Sequence, residues 1–499
     1  MNTKSLRQKV LDLAIHGKLV PQNPNDESAT VLLEKIRAEK AEKIKKGLPA
    51  GRRGELKADK KDSFIFVGSD KRHYEQFADG TVKDIEDEIP FEVPEGWAWC
   101  RLKEVCTVFG RIGFRGYTRD DLVEKGNGAI TLSPSNLINM KLDLTDCTYI
   151  SWPKYEESPE IQLDINDIVV VKTGSSYGKT SLVDNLTEKT TLNPQLIVLK
   201  ERKCNSKYLC YFLNTQYMRK HFEDLVNGTA IPTFSQEKFG MKLFPLPPAS
   251  EQEKIVESIE ESFSQIDILD NEKSDLQTAI NKTKSKILDL AIHGKLVPQD
   301  PNDEPAEELL KRISTSDNRP YEKVEDEIDY EIPKNWCLCK IKDVCSVIMG
   351  QSPEGEAVSD DKNGMEFHQG KICFGEKYLE ESFSFTRHIT KIAPKDSVLL
   401  CVRAPVGIVN ITEREICIGR GLCAVIPKYE INSDFWFYWL QSLQSDFEQK
   451  ATGTTFRAIS VDVIKNQFVA IPPHEEQNRI VNKINELYEQ LDKIVLNLV

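Results

Sequence analysis

The chain has 499 residues, 39% of them hydrophobic and 29% charged, which leaves room for several globular domains that each bury a core. No apolar run approaches the ~20 residues of a membrane span, and the opening MNTKSLRQKV lacks a signal-peptide core, so a soluble, cytoplasmic protein is expected. A net charge of −13 argues mildly against nucleic acid as a partner, although a local basic patch or partner subunits can supply the contact.

In chain order, residues 1–20 form the first element, the start of a long helix with its cap. Leu6, Val10 and Leu13 lie at helical spacing and His16-Gly17 is a stop signal. The block Lys9–Glu27, KVLDLAIHGKLVPQNPNDE, recurs at Lys286–Glu304 with only Val10/Ile287 and Asn23/Asp300 changed. A match this long requires a duplicated unit. Residues 21–84 are assigned as linker. The stretch Ala38–Lys61 is rich in lysine and arginine and contains Gly47, Pro49, Gly51 and Gly54, which suits a solvated segment.

Residues 85–249 form a first globular domain and 324–473 a second. Their entries, EDEIPFEVPEGWAWCRLKEVC (Glu86–Cys106) and EDEIDYEIPKNWCLCKIKDVC (Glu325–Cys345), are related by a shift of 239 residues. Asp167 and Gly178 pair with Asp396 and Gly407 at a shift of 229, and the PP..EQ segments at Pro247 and Pro472 at a shift of 225. Strand-like runs occur at Ile168–Lys172, Leu196–Leu199, Ser397–Arg403 and Leu422–Pro427. Helical segments follow at Lys207–Tyr217 and Ser433–Leu443. Each domain is thus mixed α/β (α+β) with an irregular sheet.

Residues 250–297 form a central helix and cap. Ile255, Ile259, Ile266, Leu269, Leu276, Ile280 and Ile287 make a heptad seam, with Ser250 as N-cap, Glu253 completing a capping box and His293-Gly294 as the stop. At ~1.5 Å per residue such a helix spans roughly 60–65 Å. Residues 298–323 are a second linker. Residues 474–499 form a C-terminal helix whose seam, Ile480, Ile484, Leu487, Leu491 and Ile494, continues in phase at the N-terminus. One repeat is therefore intact and the other is split between the chain ends. Val499 aligns with Ser274 and Met1 with Thr278, so only about three residues lack a counterpart. The expected architecture is a pseudo-twofold, circularly permuted repeat: two similar domains separated by two long antiparallel coiled-coil helices.

Several residues are candidates for contact with a polyanion. The segment Lys172–Thr180 follows a strand and resembles a phosphate-binding loop, but it is one residue short between its glycines, so nucleotide binding is rejected. Lys172, Ser175, Ser176, Tyr177 and Lys179 remain candidates for backbone or base contact, with Arg403 in the counterpart loop. Thr229, Thr454 and Arg457 lie in a second pair of polar loops. Arg111 and Arg115 in the first domain, and Gln369, Lys371, Arg387 and Arg420 in the second, complete the set, since arginine holds guanine bidentately and glutamine adenine. Each of these is equally readable as a surface ion-pairing residue. His16 and His293 are read as helix-end residues and not as catalysts.

Absences matter as much. The chain has no [DNS]PP[YFW] methyltransferase motif, no nuclease signature and no helicase motif, so no catalytic residue is assigned. The twelve cysteines form no CxxC pair, and Cys337-Leu-Cys339 has the wrong spacing for zinc. Reduced, mostly buried thiols are expected, with neither a disulfide framework nor a metal site.

The doubled LDLAIHGKLVPQ block, the IP.EVP..W..C.L.EVC entry and the PP..EQ..IV helix resemble the specificity subunit of type I restriction–modification systems over nearly the whole chain, permuted order included. The resemblance implies two target-recognition domains that each read one half of a bipartite DNA sequence, and the pseudo-twofold symmetry sets them about one helical turn (~34 Å) apart. It implies helices that dock two modification subunits, with two restriction subunits joining that core in a prokaryotic cytoplasm. The partners, and not this chain, would use S-adenosylmethionine for adenine N6 methylation, and ATP and Mg where a restriction subunit is present. The two domains differ in their first loops, which predicts an asymmetric target. The alternative from another class is a non-catalytic coiled-coil scaffold whose paired domains bind proteins.

Overall fold

The computed structural model describes residues 2–45, 62–110, 116–226, 232–320, 331–429, 431–453 and 457–496. The chain divides into two units, residues 1–271 and 272–499.

In the first unit the central layer is a four-stranded antiparallel sheet. Its order is Thr180–Leu182, Ile168–Val171, Leu196–Lys200 and Thr107–Gly110. The two inner strands, IVVV and LIVLK, are buried at every position. Successive side chains leave a strand on opposite faces, so an unbroken apolar run demands cover on both sides. Ile168, Val170, Ile197 and Leu199 meet Tyr208, Phe212, Met218 and Phe222 on one face. Val169, Val171, Leu196 and Val198 meet Ile130, Leu132 and Leu192 of a second sheet on the other. That second sheet pairs Thr190–Leu192 parallel to Gly128–Leu132.

The second unit repeats this plan. Its sheet runs Val409–Ile411, Val398–Cys401, Leu422–Pro427 and Cys345–Met349. Val398 and Leu400 face the helical core, while Leu399 and Cys401 face the second sheet. There Met365–His368 pairs parallel to Ile416–Ile418. Nine of the twelve cysteines are buried.

The ladder corrects one step of the repeat alignment. Asn166 and Asp396 each take positive φ, 71° and 61°, two residues before the first residue of the inner strand. The next residues, Asp167 and Ser397, accept equivalent bonds from Val183 and Thr412. Asp396 therefore matches Asn166 and not Asp167. Gly178 and Gly407 still match, because the turn between them and the strand is one residue shorter in the second unit: Gly178 donates to Val171 and Gly407 to Cys401.

The long central helix runs Ala249–Ile292. Its N-cap is Pro248, whose carbonyl accepts from Glu251 and Gln252, and not Ser250, which lies exposed in the first turn. The stops at Gly17 and Gly294 are Schellman turns, with φ of 62° and 65° and bonds from Lys18 to Leu13 and from Lys295 to Leu290. Within the first unit the helix Thr3–Ile15 lies antiparallel to the first half of the central helix. Arg7 pairs with Asp267 there, and its guanidinium sits 5.1 Å from the Phe263 ring. Within the second unit His474–Leu496 lies antiparallel to the second half. At matched repeat positions Lys284 pairs with Asp492 at 2.7 Å and sits 4.8 Å from the Tyr488 ring. Lys254–Asp26 and Arg479–Asp303 form a second matched pair.

Ile255, Ile259, Ile266, Ile280, Ile287, Ile480 and Ile484 of the expected seam are buried, whereas Leu269, Leu276, Leu487 and Leu491 are half-buried. Ile494 departs from the expectation at 46% exposed. In the N-terminal helix Leu6, Val10 and Leu13 are half-buried and the deep face is Leu11, Ala14 and Ile15. This helix also packs on Ser206–Leu213 and Gln216–Leu225, so its buried arc is wider than a two-position seam.

The linker assignments also need correction. Residues 29–45 are helical, with Ala29, Leu33 and Ile36 in the helical core of the first unit. Ala306–Ser316 is its counterpart, inserting Leu309, Leu310 and Ile313. Their apolar residues recur at helical spacing beneath a charged surface, which composition alone conceals. Residues 63–84 form a three-stranded antiparallel sheet resting on Ile85, Trp99 and Leu243 through Ile65. Its buried Glu75 accepts from Arg101 and Ser63.

Candidate nucleic-acid interface

The two candidate loops of each unit meet at one end of its main sheet. In the first unit Lys172–Thr180 joins two strands and leads into no helix, unlike a nucleotide-binding loop. Gly178, at φ 79°, lies so close to the Phe222 ring that a Cβ would come within 2.6 Å of it. The loop bridges to Thr233 through Thr173, with hydroxyl oxygens 2.8 Å apart, and Gly174 donates to the Pro232 carbonyl at 3.0 Å. Ser175 and Lys179 are exposed, and Ser176 and Tyr177 are half-buried. Lys179 reaches the Pro134 carbonyl at 3.4 Å. Lys172 is half-buried, and burial lowers its ammonium below the ordinary value of 10.5. Arg111, Arg115 and Thr229 lie outside the described residues.

The second unit builds the same frame. Arg403 bridges to Ala458, and Ala404 donates to the Arg457 carbonyl at 3.1 Å. The neighbouring turn Gly419-Arg420-Gly421 closes on Gln369: a Cβ on Gly421 would lie 2.2 Å from the Gln369 carbonyl. Arg403, Arg420, Gln369 and Lys371 are all exposed. Thr454 lies outside the described residues.

Two candidates separate from this group. Arg387 sits beside Gly364 at the opposite end of the Met365–His368 strand from Gln369 and donates to the Asn363 carbonyl at 3.3 Å. Arg457 spends its guanidinium on the Glu448 carbonyl at 2.7 Å, near the end of the Gln444–Lys450 helix, which is a structural use. The histidines at the helix stops are structural as well: His16 and His293 donate from Nδ1 to the carbonyls of Asp12 and Asp289 at 2.7 and 2.6 Å. Asp121 caps a short turn by accepting from Thr118. Among the described residues no cluster of three or more His, Cys, Asp or Glu could hold a metal, and no helix is long and apolar enough to cross a membrane.

The common hydrogen-bond pattern aligns the two surfaces residue by residue. Asn193 donates to Leu132 as Gly419 does to His368, and the Gln195 carbonyl accepts from Lys172 as that of Gly421 does from Val402. Thr173 thus occupies the place of Arg403, Pro194 that of Arg420, and Ser133 that of Gln369. Ser133 and Pro194 carry no motif of their own, and only the sheet register brings them to this surface. One backbone frame presents small, neutral groups in the first unit and two arginines and a glutamine in the second. Behind the second surface Arg414 clamps Glu366 and donates to the carbonyls of Leu379 and Glu380. His368, 2% exposed, bonds Glu366 at 3.1 Å, and burial pushes its imidazolium below the ordinary 6.5.

Comparison with known proteins agrees with this duplication. The family model for the type I restriction modification DNA specificity domain matches residues 94–278 and 333–498. The EcoAI specificity subunit of Escherichia coli is 25% identical over 584 aligned positions, covering 98% of this chain and 90% of that one. The EcoEI specificity subunit of Escherichia coli is 27% identical, covering 70% and 63%. A solved chain of a type I R-M system shares the fold at a TM-score of 0.55 and 22% identity, covering 82% of this chain and 94% of that one. With two matched segments that together span well over half its length, the chain belongs to the type I restriction–modification specificity family, as a specificity subunit with two target-recognition domains.

Proposed function

We propose that this subunit reads an asymmetric bipartite DNA target, one half with each domain, and holds adenine N6 methyltransferase and restriction subunits in place over it. The observation that carries the asymmetry is the shared frame with exchanged side chains: Thr173, Pro194 and Ser133 against Arg403, Arg420 and Gln369. Equal backbones dock alike on duplex DNA, while different side chains select different bases. Arginine and glutamine in the second domain favour guanine and adenine contacts. The first surface, neutral at those three positions, reads its half through hydroxyls, backbone and the loop lysines Lys172 and Lys179. The chain itself is non-catalytic in this reading. S-adenosylmethionine is used by two modification subunits, and ATP and Mg by two restriction subunits where these are present.

The test is a single-molecule methylome of cells expressing the chain with its modification subunit. A split, asymmetric motif methylated on adenine and absent without the chain is the expected result. Exchange of residues 85–249 should alter one half only. No new methylation with a partner that is active on another specificity chain would overturn the proposal in favour of a protein-binding scaffold.

A further inference from the structure

Each recognition domain meets its long helix at a buried polar joint, and the joint is built twice. At the start of the central helix Glu251 and Gln252 are 2% and 1% exposed. Glu251 accepts from the Trp97 indole at 2.9 Å and from Gln22 at 3.1 Å, and Gln22 donates in turn to the Gly17 carbonyl at 2.7 Å. Gln252 donates to the Pro247 carbonyl at 2.8 Å and accepts from the Asn205 backbone at 2.7 Å. Asn205 caps the domain's helix Ser206–Leu213. Two neighbouring side chains thus tie the domain's entry segment at Trp97, one of its helices and the helix-stop loop to a single turn of the long helix.

The second unit repeats this joint with one bond missing. Glu476 and Gln477 are 1% and 0% exposed. Gln299 donates to Glu476 at 2.6 Å and to the Gly294 carbonyl at 3.3 Å, whereas the Trp336 indole N–H and the other Glu476 oxygen are buried without a hydrogen bond to each other, unlike Trp97 and Glu251. Gln477 donates to the Pro472 carbonyl and accepts from the Asn432 backbone, each at 3.1 Å.

Apolar contacts tolerate sliding, since any neighbouring methyl group serves nearly as well as another. A buried carboxylate whose two oxygens each need a directed donor does not, because a small rotation leaves charge unpaired in a medium of low polarity. We propose that the Glu251–Gln252 and Glu476–Gln477 dyads are positioning residues that set the angle of each recognition domain on its helix and thereby the permitted gap between the half-sites. This rests on the bipartite reading above. One added base pair moves a half-site by about 3.4 Å and turns it by about 34°, a change that a rigid joint cannot follow and a loosened one can.

The test uses the full chain assembled with its modification subunit. Duplexes carry unchanged half-sites with gaps varied one base pair at a time, and methyl transfer is measured on each. The wild type should fall by about tenfold or more one base pair from its preferred gap, the scale of one disrupted base-pair contact. Glu251→Gln replaces one acceptor oxygen by an NH2 that must oppose the Trp97 indole N–H or the Gln22 amide N–H, and it should raise the ratio of off-gap to preferred-gap transfer several-fold while leaving base preference alone. Gln22→Ala removes the donor from the other side of the same bond, so it should raise the ratio as well, and the two changes together should add less than their separate effects. Glu476→Gln and Gln299→Ala give the independent pair in the second unit. Unchanged ratios in both Glu→Gln variants, or a loss equal at all gaps in both, would overturn the inference while leaving the bipartite reading intact. A wild type without gap preference also overturns it. A wild type that methylates no split target overturns the bipartite reading and this inference with it.

Discussion

Arg420→Ala isolates recognition from folding. Arg420 is exposed, and its described contact is a backbone bond from its N–H to Ser352 Oγ at 3.2 Å, which alanine keeps. Stability should therefore change by no more than about 0.5 kcal/mol. Binding should change much more. A guanidinium that holds guanine bidentately contributes about 1–3 kcal/mol of discrimination, and at ~1.4 kcal/mol per tenfold this is about 5- to 150-fold in affinity. The loss should fall on one base of the second half-site only. If Arg420 instead holds a phosphate, affinity should drop evenly over all sequences and the log–log salt slope should shrink by about 0.9. Fluorescence anisotropy across a salt series, with single-base variants of both half-sites, separates the two outcomes. Affinity within about twofold of wild type at every salt concentration and every sequence would refute a DNA role for this turn, given how steeply phosphate contacts depend on salt.

Three further outcomes follow from the geometry. Gly178→Ala forces a side chain into positive φ with its Cβ 2.6 Å from the Phe222 ring, so the first unit should lose about 1–3 kcal/mol of stability; a wild-type thermal midpoint would contradict that contact. In a double-mutant cycle on Arg7 and Asp267, with side chains 23% and 66% exposed, the coupling should stay below about 1 kcal/mol by chemical denaturation, and a coupling of several kcal/mol would mean that solvent screening there is misjudged. His368 has its folded pKa depressed below 6.5 mainly by burial, so the unfolded chain binds the proton first. Its contribution is complete above pH 6.5 and should decline as pH falls through that value toward the lower folded one. His368→Gln should flatten this part of the stability–pH curve, and an unchanged slope would discount the buried imidazole.

Much of this molecule was legible along the chain because its evidence is local. The inner strands IVVV and LCAVIP and the His-Gly stops depend on neighbours in sequence, where side-chain alternation and the conformational freedom of glycine act directly, while the LDLAIHGKLVPQ identity and the permuted order need only a comparison of residues along the chain. Tertiary structure decided what depends on pairing between distant residues. The helix over 29–45 hides its core residues among lysines and glutamates, so its burial becomes visible only once Leu33 and Ile36 meet their neighbours. The match of Asn166 with Asp396 needed the ladder, because a gap in a diverged repeat has no fixed place until hydrogen bonds set the register. Arg457 and Arg420 look alike as letters, yet one guanidinium is bound to a carbonyl at a helix end and the other stands on a glycine-flanked turn. Which basic residues share a surface is set by the order of strands in the sheet, and that order is a property of contacts between segments far apart in the chain.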